Sequence, residues 1–444
     1  MSSAIPPRDD PLPAAFAGRQ KAGAPRSAPA GLDPRPAARF HPLMKRIVLF
    51  LAAALALSTE GAMAADAAFS RWLETEVWPA AQASGVKRAT FEAAVTGLEP
   101  DLRLPDLKPT GGGNAFQAEF QSPAAYLADN KLDGLAAGGR KRLAANRAVL
   151  DRTARATGVP AGILLAVWGK ESAFGAAKIE KDAVRTLATQ AYMGSRRAEF
   201  FPELVAALRI LEEEHISRAA MKSSWAGALG QPQFMPSKFL ADAVDGDGDG
   251  RRDIWNSVPD VIASIGHFLR SRGWKAGVPW GVEVRLPAAV PCSLEGPDQG
   301  QPLSAWIKAG VTRADGRPLA AADVGPVGHL LMPAGRMGPA FLVSDNFYVL
   351  KAYNESDVYA LTIGLVGDRL AKAGTIRGGW GKVGGFSRSD VRAVQRRLEG
   401  MGHDVGTADG LVGFRTRVAI GRWQAKNGLA VTCYPDKAVI SALK

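Results

Sequence analysis

An apolar helical stripe that ends in a glutamate is the feature that most constrains this chain. Its members recur at spacings of three and four and therefore share one face of a predicted helix: Leu164, Val167, Trp168 and Glu171. Pro160 suits the first turn of that helix. Because a helix turns such a face toward the protein core, Glu171 is expected to lie beside buried side chains.

A carboxyl group in that position is expected to stay protonated near neutral pH. Burial disfavours the charged form, and the negative end of the helix dipole, near Gly175, acts in the same direction. The raised pKa that results is what a general acid requires. The alternative is a solvated Glu171 beside Lys170 in an ordinary amphipathic helix.

The composition excludes several classes of protein. The chain has 444 residues, too many for one small core, and its 47% hydrophobic content fits two or more globular units. The net charge of +12 comes from Lys and Arg scattered among acids, so an acidic polymer is a simpler partner than a nucleic acid. The chain carries no HExxH, GxSxG, Walker or CxxC motif, which disfavours zinc hydrolases, serine hydrolases and nucleotide enzymes. No organic cofactor is expected.

The N-terminal region has the features of an export signal. Residues 1–43 are rich in Pro, Ala and Arg and predict a disordered extension. From Met44, a basic start, an apolar run and the sequence Ala62-Met63-Ala64 predict a signal peptide over residues 44–64. Translation from Met44 explains this arrangement, and the alternative is an unusually long leader. The run is too short to span a bilayer and no cysteine follows it, so a periplasmic protein without a lipid anchor or transmembrane segment is expected.

The rest of the chain divides into regions of different texture. From about Phe69 to Ser217 the pattern is mostly helical, and a helix resumes at Asn354. Between about residues 278 and 350, short apolar pieces broken by Pro and Gly predict strands around a helix near residues 303–309. The predicted strands are Val282–Leu286, His329–Met332 and Ala340–Val343.

The C-terminal part has the texture of a linker followed by a small domain. Glycines in residues 373–385 predict the linker, and residues 386–444 predict a compact unit of three helices that suits binding better than catalysis. Cys292 and Cys433 lie in what are predicted to be different domains, so no disulfide framework is indicated and a single bridge is left open. The predicted inward residues of the first of these helices are Val391, Val394 and Leu398.

A run of alternating Asp and Gly begins at Asp245. It places acids at positions 1, 3, 5 and 9 of an EF-hand-type loop, with Gly250 at position 6 for the turn. Asn256 replaces the usual Glu at position 12, and Asp260 can close the shell instead. A bound Ca²⁺ would brace the fold, and the alternative is a solvated turn. The predicted ligands are Asp245, Asp247, Asp249, Arg251 and Asp260.

Two further segments carry groups that suit a sugar. Residues 224–236 form a Gly- and Pro-punctuated loop whose amides and hydroxyl can bond sugar hydroxyls, while Trp, Phe and Met offer apolar faces. The alternative is a buried turn with core aromatics. Tyr353 and Asn354 precede the helix that follows the predicted strands, and Asn354 is predicted to be its N-cap.

In this order, the motifs resemble the lytic murein transglycosylase B family over residues 66–372. They are Glu171-Ser172-x-Phe174-Gly175, Ala226-Gly227-Ala228-Leu229-Gly230-x-x-Gln233-Phe234-Met235-Pro236, the Asp/Gly loop running to Trp255, and Tyr353-Asn354. Residues 386–444 resemble a small peptidoglycan-binding domain through Val391-x-x-x-Gln395-x-x-Leu398, Asp409-Gly410-x-x-Gly413-x-x-Thr416 and Ala419-Ile420-x-x-Trp423-Gln424. The resemblance implies a mainly α fold of α+β type: a lysozyme-like helical catalytic domain with a small β-containing subdomain, then a three-helix domain.

The family resemblance also implies a reaction. The enzyme would cut the β-1,4 bond between N-acetylmuramic acid and N-acetylglucosamine in peptidoglycan strands and release a 1,6-anhydromuramoyl end. Glu171 would protonate the leaving oxygen and then accept the C6 hydroxyl proton, so one carboxylate suffices. Ser224 would orient Glu171, and Asn354 would orient the acetamido group. The other implied substrate-binding positions are Gln233, Phe234, Met235 and Tyr353, with Phe200 and Phe268 where the family has tyrosines.

Other functions stay open on the sequence. A hydrolytic muramidase needs a second carboxylate or a held water, for which the sequence offers no candidate. A non-catalytic wall-binding scaffold is disfavoured by the retained Glu171, and a calcium sensor by the single degenerate loop. Deleting residues 374–444 is expected to weaken wall binding and spare cleavage of short soluble glycans. The oligomeric state is left open.

Overall fold

A computed structural model describes residues 67–107, 123–372, 374–382 and 385–443. The predicted disordered extension over residues 1–43 and the predicted signal peptide over residues 44–64 lie outside the described residues. Within the described part of the chain, no helix is long and apolar enough to cross a membrane.

Helices dominate the described residues before and after a small sheet. The α-helices before the sheet are α1 Trp78–Ala83, α2 Arg88–Val95, α3 Pro123–Tyr126, α4 Asp129–Leu143, α5 Arg147–Thr157, α6 Ala161–Ser172, α7 Ala183–Met193, α8 Arg197–Glu212, α9 Pro236–Asp242 and α10 Val258–Ser271. Those within and after it are α11 Leu303–Lys308, α12 Ala321–Val324, α13 Asp345–Asn354, α14 Asp357–Leu370, α15 Arg388–Gly400, α16 Phe414–Lys426 and α17 Lys437–Leu443. A π-helical turn spans Leu73–Val77, and 3₁₀ turns span Pro105–Leu107, Cys292–Leu294, Pro297–Gln299 and Gly335–Met337.

Helix α6 lies at the centre of the helical region. Residues 163–169 are all buried, so the helix is covered on more sides than the single apolar face predicted from its spacing. Helix α14 packs directly against it. The two backbones approach closely because glycines meet at the crossing: a Cβ on Gly162 would lie 3.0 Å from the carbonyl oxygen of Gly367. This close contact at the start of α6 lets the two helices pack directly against each other.

The junction between α13 and α14 differs from the prediction. Asn354 is the last residue of α13 rather than the N-cap of the next helix. Glu355 adopts a left-handed conformation with φ of 57° and ends α13. Ser356 is the N-cap of α14, and its hydroxyl accepts a hydrogen bond from the backbone N–H of Tyr359 at 3.2 Å. Serine and asparagine are similarly good caps, and the reversal at Glu355 selects the serine.

The β-containing region has the three predicted strands and the predicted helix, together with two two-residue strands that were not predicted. The strands are β1 Lys181–Asp182, β2 Lys222–Ser223, β3 Gly281–Arg285, β4 Gln301–Pro302, β5 Thr312–Arg313, β6 Val327–Leu331 and β7 Ala340–Val343. The first two form a separate pair, and the other five form an antiparallel sheet in the order β4-β6-β7-β3-β5. Their core surrounds Trp306 on α11, which donates a hydrogen bond to the backbone oxygen of Gly328 at 2.9 Å.

The C-terminal helices α15–α17 enclose a small core of their own. Val394, Leu398 and Ile420 are fully buried in it. A disulfide between Cys292 and Cys433 joins this unit to the β-containing region, which resolves the pairing that the sequence left open. The segment between α14 and α15 is attached to the same region by hydrogen bonds.

A carboxylate of the sheet binds the segment between α14 and α15. The backbone N–H groups of Arg377 and Gly378 donate hydrogen bonds to Glu283 on β3, at 2.9 and 2.6 Å. The glycines that predicted a linker therefore lie in a stretch with specific contacts to the sheet.

Candidate active site

Glu171 lies in the last turn of α6, where the helix is ended by a local packing arrangement. Ala173 and Phe174 both adopt left-handed conformations, with φ of 50° and 60°. The ring of Phe174 folds back against Trp168, with ring centroids 5.5 Å apart. Gly169 makes this possible, because a Cβ there would lie 2.5 Å from the Phe174 ring. The helix therefore stops just beyond Glu171 and leaves its carboxyl group at the edge of the core.

The carboxyl group of Glu171 has a buried hydroxyl as its partner. The Tyr359 hydroxyl donates a hydrogen bond to Glu171 Oε1 at 2.5 Å. Burial raises the pKa of Glu171 to about 7, although the Tyr359 hydrogen bond and the ammonium groups of Lys170 and Lys238 act in the opposite direction. This upward shift of the Glu171 pKa agrees with the expectation from the helical stripe. Glu171 can therefore carry a proton near neutral pH and still exist as a carboxylate.

A layer of aromatic rings supports this pair. Tyr359 stacks on Tyr353, with centroids 6.1 Å apart and planes inclined by 16°. Tyr353 in turn contacts Phe268 at 4.8 Å and Phe234 at 6.0 Å, and its hydroxyl donates to the Pro232 carbonyl at 2.8 Å. Three predicted site residues are thus brought together beside Glu171. Phe234 and Phe268 are each only 1% exposed. They therefore pack against Tyr353 inside the core and do not present a ring face to a sugar.

Phe200 does not join this layer. Its side chain is 1% exposed, and the centre of its ring lies 4.9 Å from the guanidinium carbon of Arg196, in the first turn of α8. Within the described structure, no ring contact connects Phe200 with the aromatic residues around Tyr353. Its assignment to substrate binding is therefore not supported by the geometry.

The loop over residues 224–236 is organised by its own hydrogen bonds. The Ser224 hydroxyl accepts from the backbone N–H of Ala228 at 3.2 Å, and none of the described contacts joins it to Glu171. The orienting hydrogen bond expected from Ser224 is made by Tyr359 instead. Gln233 is left-handed, with φ of 54°, and donates to the Gly230 carbonyl at 2.8 Å. Gln233 and Met235 are both partly exposed beside the site.

Gln231, which the sequence did not single out, joins this loop to its neighbours. Its side-chain oxygen accepts from Trp168 Nε1 at 2.7 Å, and its amide donates to the Trp255 carbonyl at 2.8 Å. One side chain therefore connects helix α6 with the end of the Asp/Gly loop.

Two polar side chains lie near the aromatic layer. The Asn354 Oδ1 atom is buried and accepts no hydrogen bond from the described residues. Lys238, on α9, is partly buried with its ammonium group 5.3 Å from the centre of the Phe268 ring. Burial lowers the pKa of Lys238, while the charge of Glu171 opposes that shift. These groups give the site an unused acceptor and a cation.

The Asp/Gly loop brings three of its predicted ligands together. Carboxylate oxygens of Asp245, Asp247 and Asp249 lie within 4.8 Å of one another, and all three residues are exposed. Backbone N–H groups of Gly250 and Gly248 donate to Asp245 and lower its pKa, which keeps that carboxylate charged. Three carboxylates this close suit a hard cation with oxygen ligands.

Asp260 has another role in the same loop. It is fully buried, and its two oxygens accept from the backbone N–H groups of Gly246 at 2.8 Å and Asp253 at 2.6 Å. It therefore ties the two ends of the loop together and does not belong to the group formed by the other three acids. Arg251 donates its backbone N–H to Asp249 at 2.8 Å, so it shapes the loop beside that ligand.

Tyr359 is the site residue that the sequence interpretation missed. It follows the Ser356 cap and heads a row of buried residues on α14 at helical spacing, with Ile363 and Val366. A phenolic hydroxyl at the head of an otherwise apolar row was the available signal. Such a group needs a partner in the core, and here the partner is Glu171.

Comparisons with known proteins agree with this geometry. Residues 68–368 match the family described as Transglycosylase SLT domain, and residues 387–443 match the Putative peptidoglycan binding domain. The chain is 30% identical over 288 residues to the membrane-bound lytic murein transglycosylase B of Escherichia coli K12, which covers 62% of this chain and 75% of that protein.

Solved structures show the same relationship. SltB3 from Pseudomonas aeruginosa in complex with NAG-anhNAM-pentapeptide is 37% identical, with a TM-score of 0.76, over 84% of this chain and 99% of that one. Its complex with NAG-NAM-pentapeptide gives a TM-score of 0.74 over 85% and 99% of the two chains, also at 37% identity. The mainly helical, lysozyme-like fold with a small sheet is thereby confirmed. With its SLT domain and its C-terminal peptidoglycan-binding domain, the chain belongs to the SLT family of lytic murein transglycosylases.

Proposed function

We propose that Glu171 alone supplies the acid and the base for this lytic transglycosylase. As an acid, it gives its proton to the glycosidic oxygen while the bond from that oxygen to C1 of the muramoyl residue breaks. As a carboxylate, it then takes the proton of the C6 hydroxyl as that oxygen bonds to C1, which forms the 1,6-anhydro ring. The observation that carries the proposal is a carboxyl group with a pKa of about 7 at the end of α6.

Asp242, a buried carboxylate near the Glu171 site, does not serve as a second catalytic carboxylate. The charge of Asp242 also acts on Tyr353, but Asp242 is only 2% exposed. Its oxygens accept from Ser271 at 2.8 Å and from Arg272 at 3.0 Å. Asp242 is therefore committed to structure and is poorly placed to activate a water molecule, as a hydrolytic muramidase would require.

The substrate is proposed to lie over the aromatic layer with its sugar groups at the loop and at α13. SltB3 binds disaccharide fragments that carry a pentapeptide, so the equivalent glycan strand is assigned to the cleft at Glu171. The unpartnered Oδ1 of Asn354 suits the N–H of an acetamido group. Gln233 and Met235 are partly exposed and would contact the sugars directly.

Replacing Tyr359 with Phe tests the geometry around the acid. Without the hydroxyl, the carboxylate of Glu171 loses its donor, so its pKa rises further by about one unit. The alkaline limb of the kcat profile should therefore move to higher pH by about that amount, and kcat should fall about tenfold. The measurement is a pH–rate profile on a short soluble glycan. An alkaline limb that stays in place or moves to lower pH would show that the hydroxyl does not act on Glu171.

We also propose that the Asp/Gly loop holds a structural Ca²⁺. Asp245, Asp247 and Asp249 would supply carboxylate oxygens, and the repulsion among three charges within 4.8 Å would be relieved by the cation. The loop is joined to α6 through Gln231, so the ion would stabilise the fold around the site without entering the reaction.

The calcium proposal predicts a change in stability. Free Ca²⁺ at about a hundredfold over its Kd should stabilise the protein by about 2.7 kcal/mol. Thermal melting in millimolar Ca²⁺ and in a chelator measures this difference. Asp247→Asn should abolish the response, and Mg²⁺ should not reproduce it because it demands a tighter octahedral site. Identical melting temperatures with Ca²⁺ and with the chelator would exclude the ion.

The enzyme acts outside the cytoplasm, where peptidoglycan lies. We propose that residues 44–64 direct its export and that it works in the periplasm without a lipid anchor. The Cys292–Cys433 disulfide supports this assignment, since such bonds persist in oxidising compartments. The C-terminal domain is proposed to hold the enzyme on the wall.

A further inference from the structure

Arg417 on α16 connects the peptidoglycan-binding domain with the catalytic domain through two buried carboxylates. Its side chain is 3% exposed, and those of Glu295 and Asp357 are 0% and 10% exposed. The guanidinium group donates to both oxygens of Glu295, at 2.9 and 2.6 Å, and to Asp357 Oδ2 at 2.8 Å. A further N–H donates to the Val412 carbonyl at 2.9 Å. One cation from the C-terminal domain therefore satisfies two acids of the catalytic domain.

One of these acids begins the helix that carries Tyr359. Asp357 is the first residue of α14, and its other oxygen pairs with Lys351 Nζ at 2.7 Å. Although burial by itself would raise the pKa of Asp357, Lys351 and Arg417 hold it well below its usual range. The charged Asp357 therefore pairs with side chains of both α13 and α16. It precedes Tyr359 by two residues on α14.

The other acid, Glu295, is fixed by contacts within the catalytic domain. Glu295 follows the 3₁₀ turn that contains Cys292, and its Oε1 also accepts from the backbone N–H of Met332 at 2.9 Å. The Cys292–Cys433 bridge attaches the same turn to the segment after α16. Arg417 therefore binds Glu295, beside the disulfide-linked turn, and also binds Asp357 at the start of α14.

We propose that Arg417 is a positioning residue for catalysis, which acts through Asp357 and α14 to hold the Tyr359 hydroxyl against Glu171. The inference rests on the proposed role of Glu171. It makes the peptidoglycan-binding domain part of the catalytic unit rather than a separable anchor. Deleting residues 374–444 should then lower cleavage of short soluble glycans, contrary to the expectation from the sequence.

The charged and titratable groups that face Glu171 come from four helices. They are Tyr359 on α14, Tyr353 on α13, Lys170 on α6 and Lys238 on α9. Arg417 does not face Glu171 directly, so a change there can alter the titration of Glu171 only by moving one of these groups. A pH profile therefore separates positioning from a general loss of stability.

The test uses the full-length protein with its disulfide intact and a short soluble glycan that does not need wall binding. Arg417→Met should lower kcat at least tenfold, change KM less than twofold and move the alkaline limb of kcat to higher pH. Arg417→Lys should recover part of kcat because it keeps one charged contact. Arg313→Met is the matched control, since Arg313 pairs with Asp315 and Asp323 within the β-containing region. It should leave kcat and the pH profile unchanged.

A second variant distinguishes a positioning effect on kcat from simple misfolding. Arg417→Met combined with Glu295→Gln removes the fully buried carboxylate that would otherwise lose its partner, while Asp357 keeps its ion pair with Lys351, so this variant should fold and still show the low kcat. Wild-type kcat and pH profile in Arg417→Met or in this combined variant, or an equal loss in the Arg313→Met control, would overturn the inference. Full activity in Glu171→Gln would instead overturn the proposed mechanism, so the two failures are distinguishable.

Discussion

Glu171→Gln is expected to lower turnover of isolated peptidoglycan by roughly a hundredfold to ten-thousandfold, the usual range for loss of a general acid. Glutamine has the shape of glutamic acid but cannot give a proton to the leaving oxygen or accept one from the C6 hydroxyl. The Tyr359 hydroxyl can still donate to the amide oxygen, so the local packing is preserved. The measurement is the initial rate of release of soluble fragments. Turnover equal to that of the wild type would refute the mechanism.

The same variant carries its own controls. Binding to insoluble wall, measured by co-sedimentation, should be unchanged because α15–α17 are untouched. Stability should differ in a pH-dependent way, since burial raises the pKa of Glu171 from 4.5 to about 7. Ionisation then costs stability as pH rises from about 4.5 to 7, and Glu171→Gln should be more stable above pH 7 by about 1–3 kcal/mol. At pH 4 the two proteins should be equally stable.

Loss of the disulfide is expected to have the largest effect on stability. Cys292 and Cys433 are 141 residues apart in sequence, so the bridge removes much conformational freedom from the unfolded chain. In the chain-entropy description, a loop of this length corresponds to about 5 kcal/mol, the upper end of measured effects. Both cysteines are fully buried, so Cys292→Ala with Cys433→Ala also removes packed sulfur. The double variant should therefore unfold at a much lower denaturant concentration.

The comparison that isolates the bridge is chemical denaturation of the oxidised wild type, the reduced wild type and the double alanine variant. The reduced protein and the variant should unfold at similar midpoints, both below that of the oxidised protein. Equal midpoints for the oxidised and reduced proteins would show that the non-covalent contacts of α16, including those of Arg417, already hold the two domains together.

Local patterns in the sequence were enough to predict the secondary structure around the site. The strand over residues 340–343 is predicted with its observed bounds, because Gly-Pro precedes the short apolar run and Ser-Asp follows it. The helical face of Glu171 followed from spacings of three and four. The exception is Asn354, where a local capping preference suited two neighbouring residues and the left-handed Glu355 decided between them.

Contacts between distant residues could not be predicted in this way. Tyr359 and Glu171 are 188 residues apart, and Arg417 and Glu295 are 122 apart. Neither pair leaves a periodic signal, because each side chain alone is compatible with an ordinary buried or solvated position. Asp260 shows the same limit: its spacing suited a metal ligand, but burial at the start of α10 turned it toward backbone N–H groups.

Mass spectrometry of the soluble fragments that wild type and Glu171→Gln release from isolated peptidoglycan distinguishes the proposed mechanism from hydrolysis. We expect 1,6-anhydromuramoyl ends from the wild type and almost none from the variant. Reducing muramoyl ends from the wild type would show hydrolysis instead, and anhydromuramoyl ends from both proteins at equal rates would show that the acid is another residue.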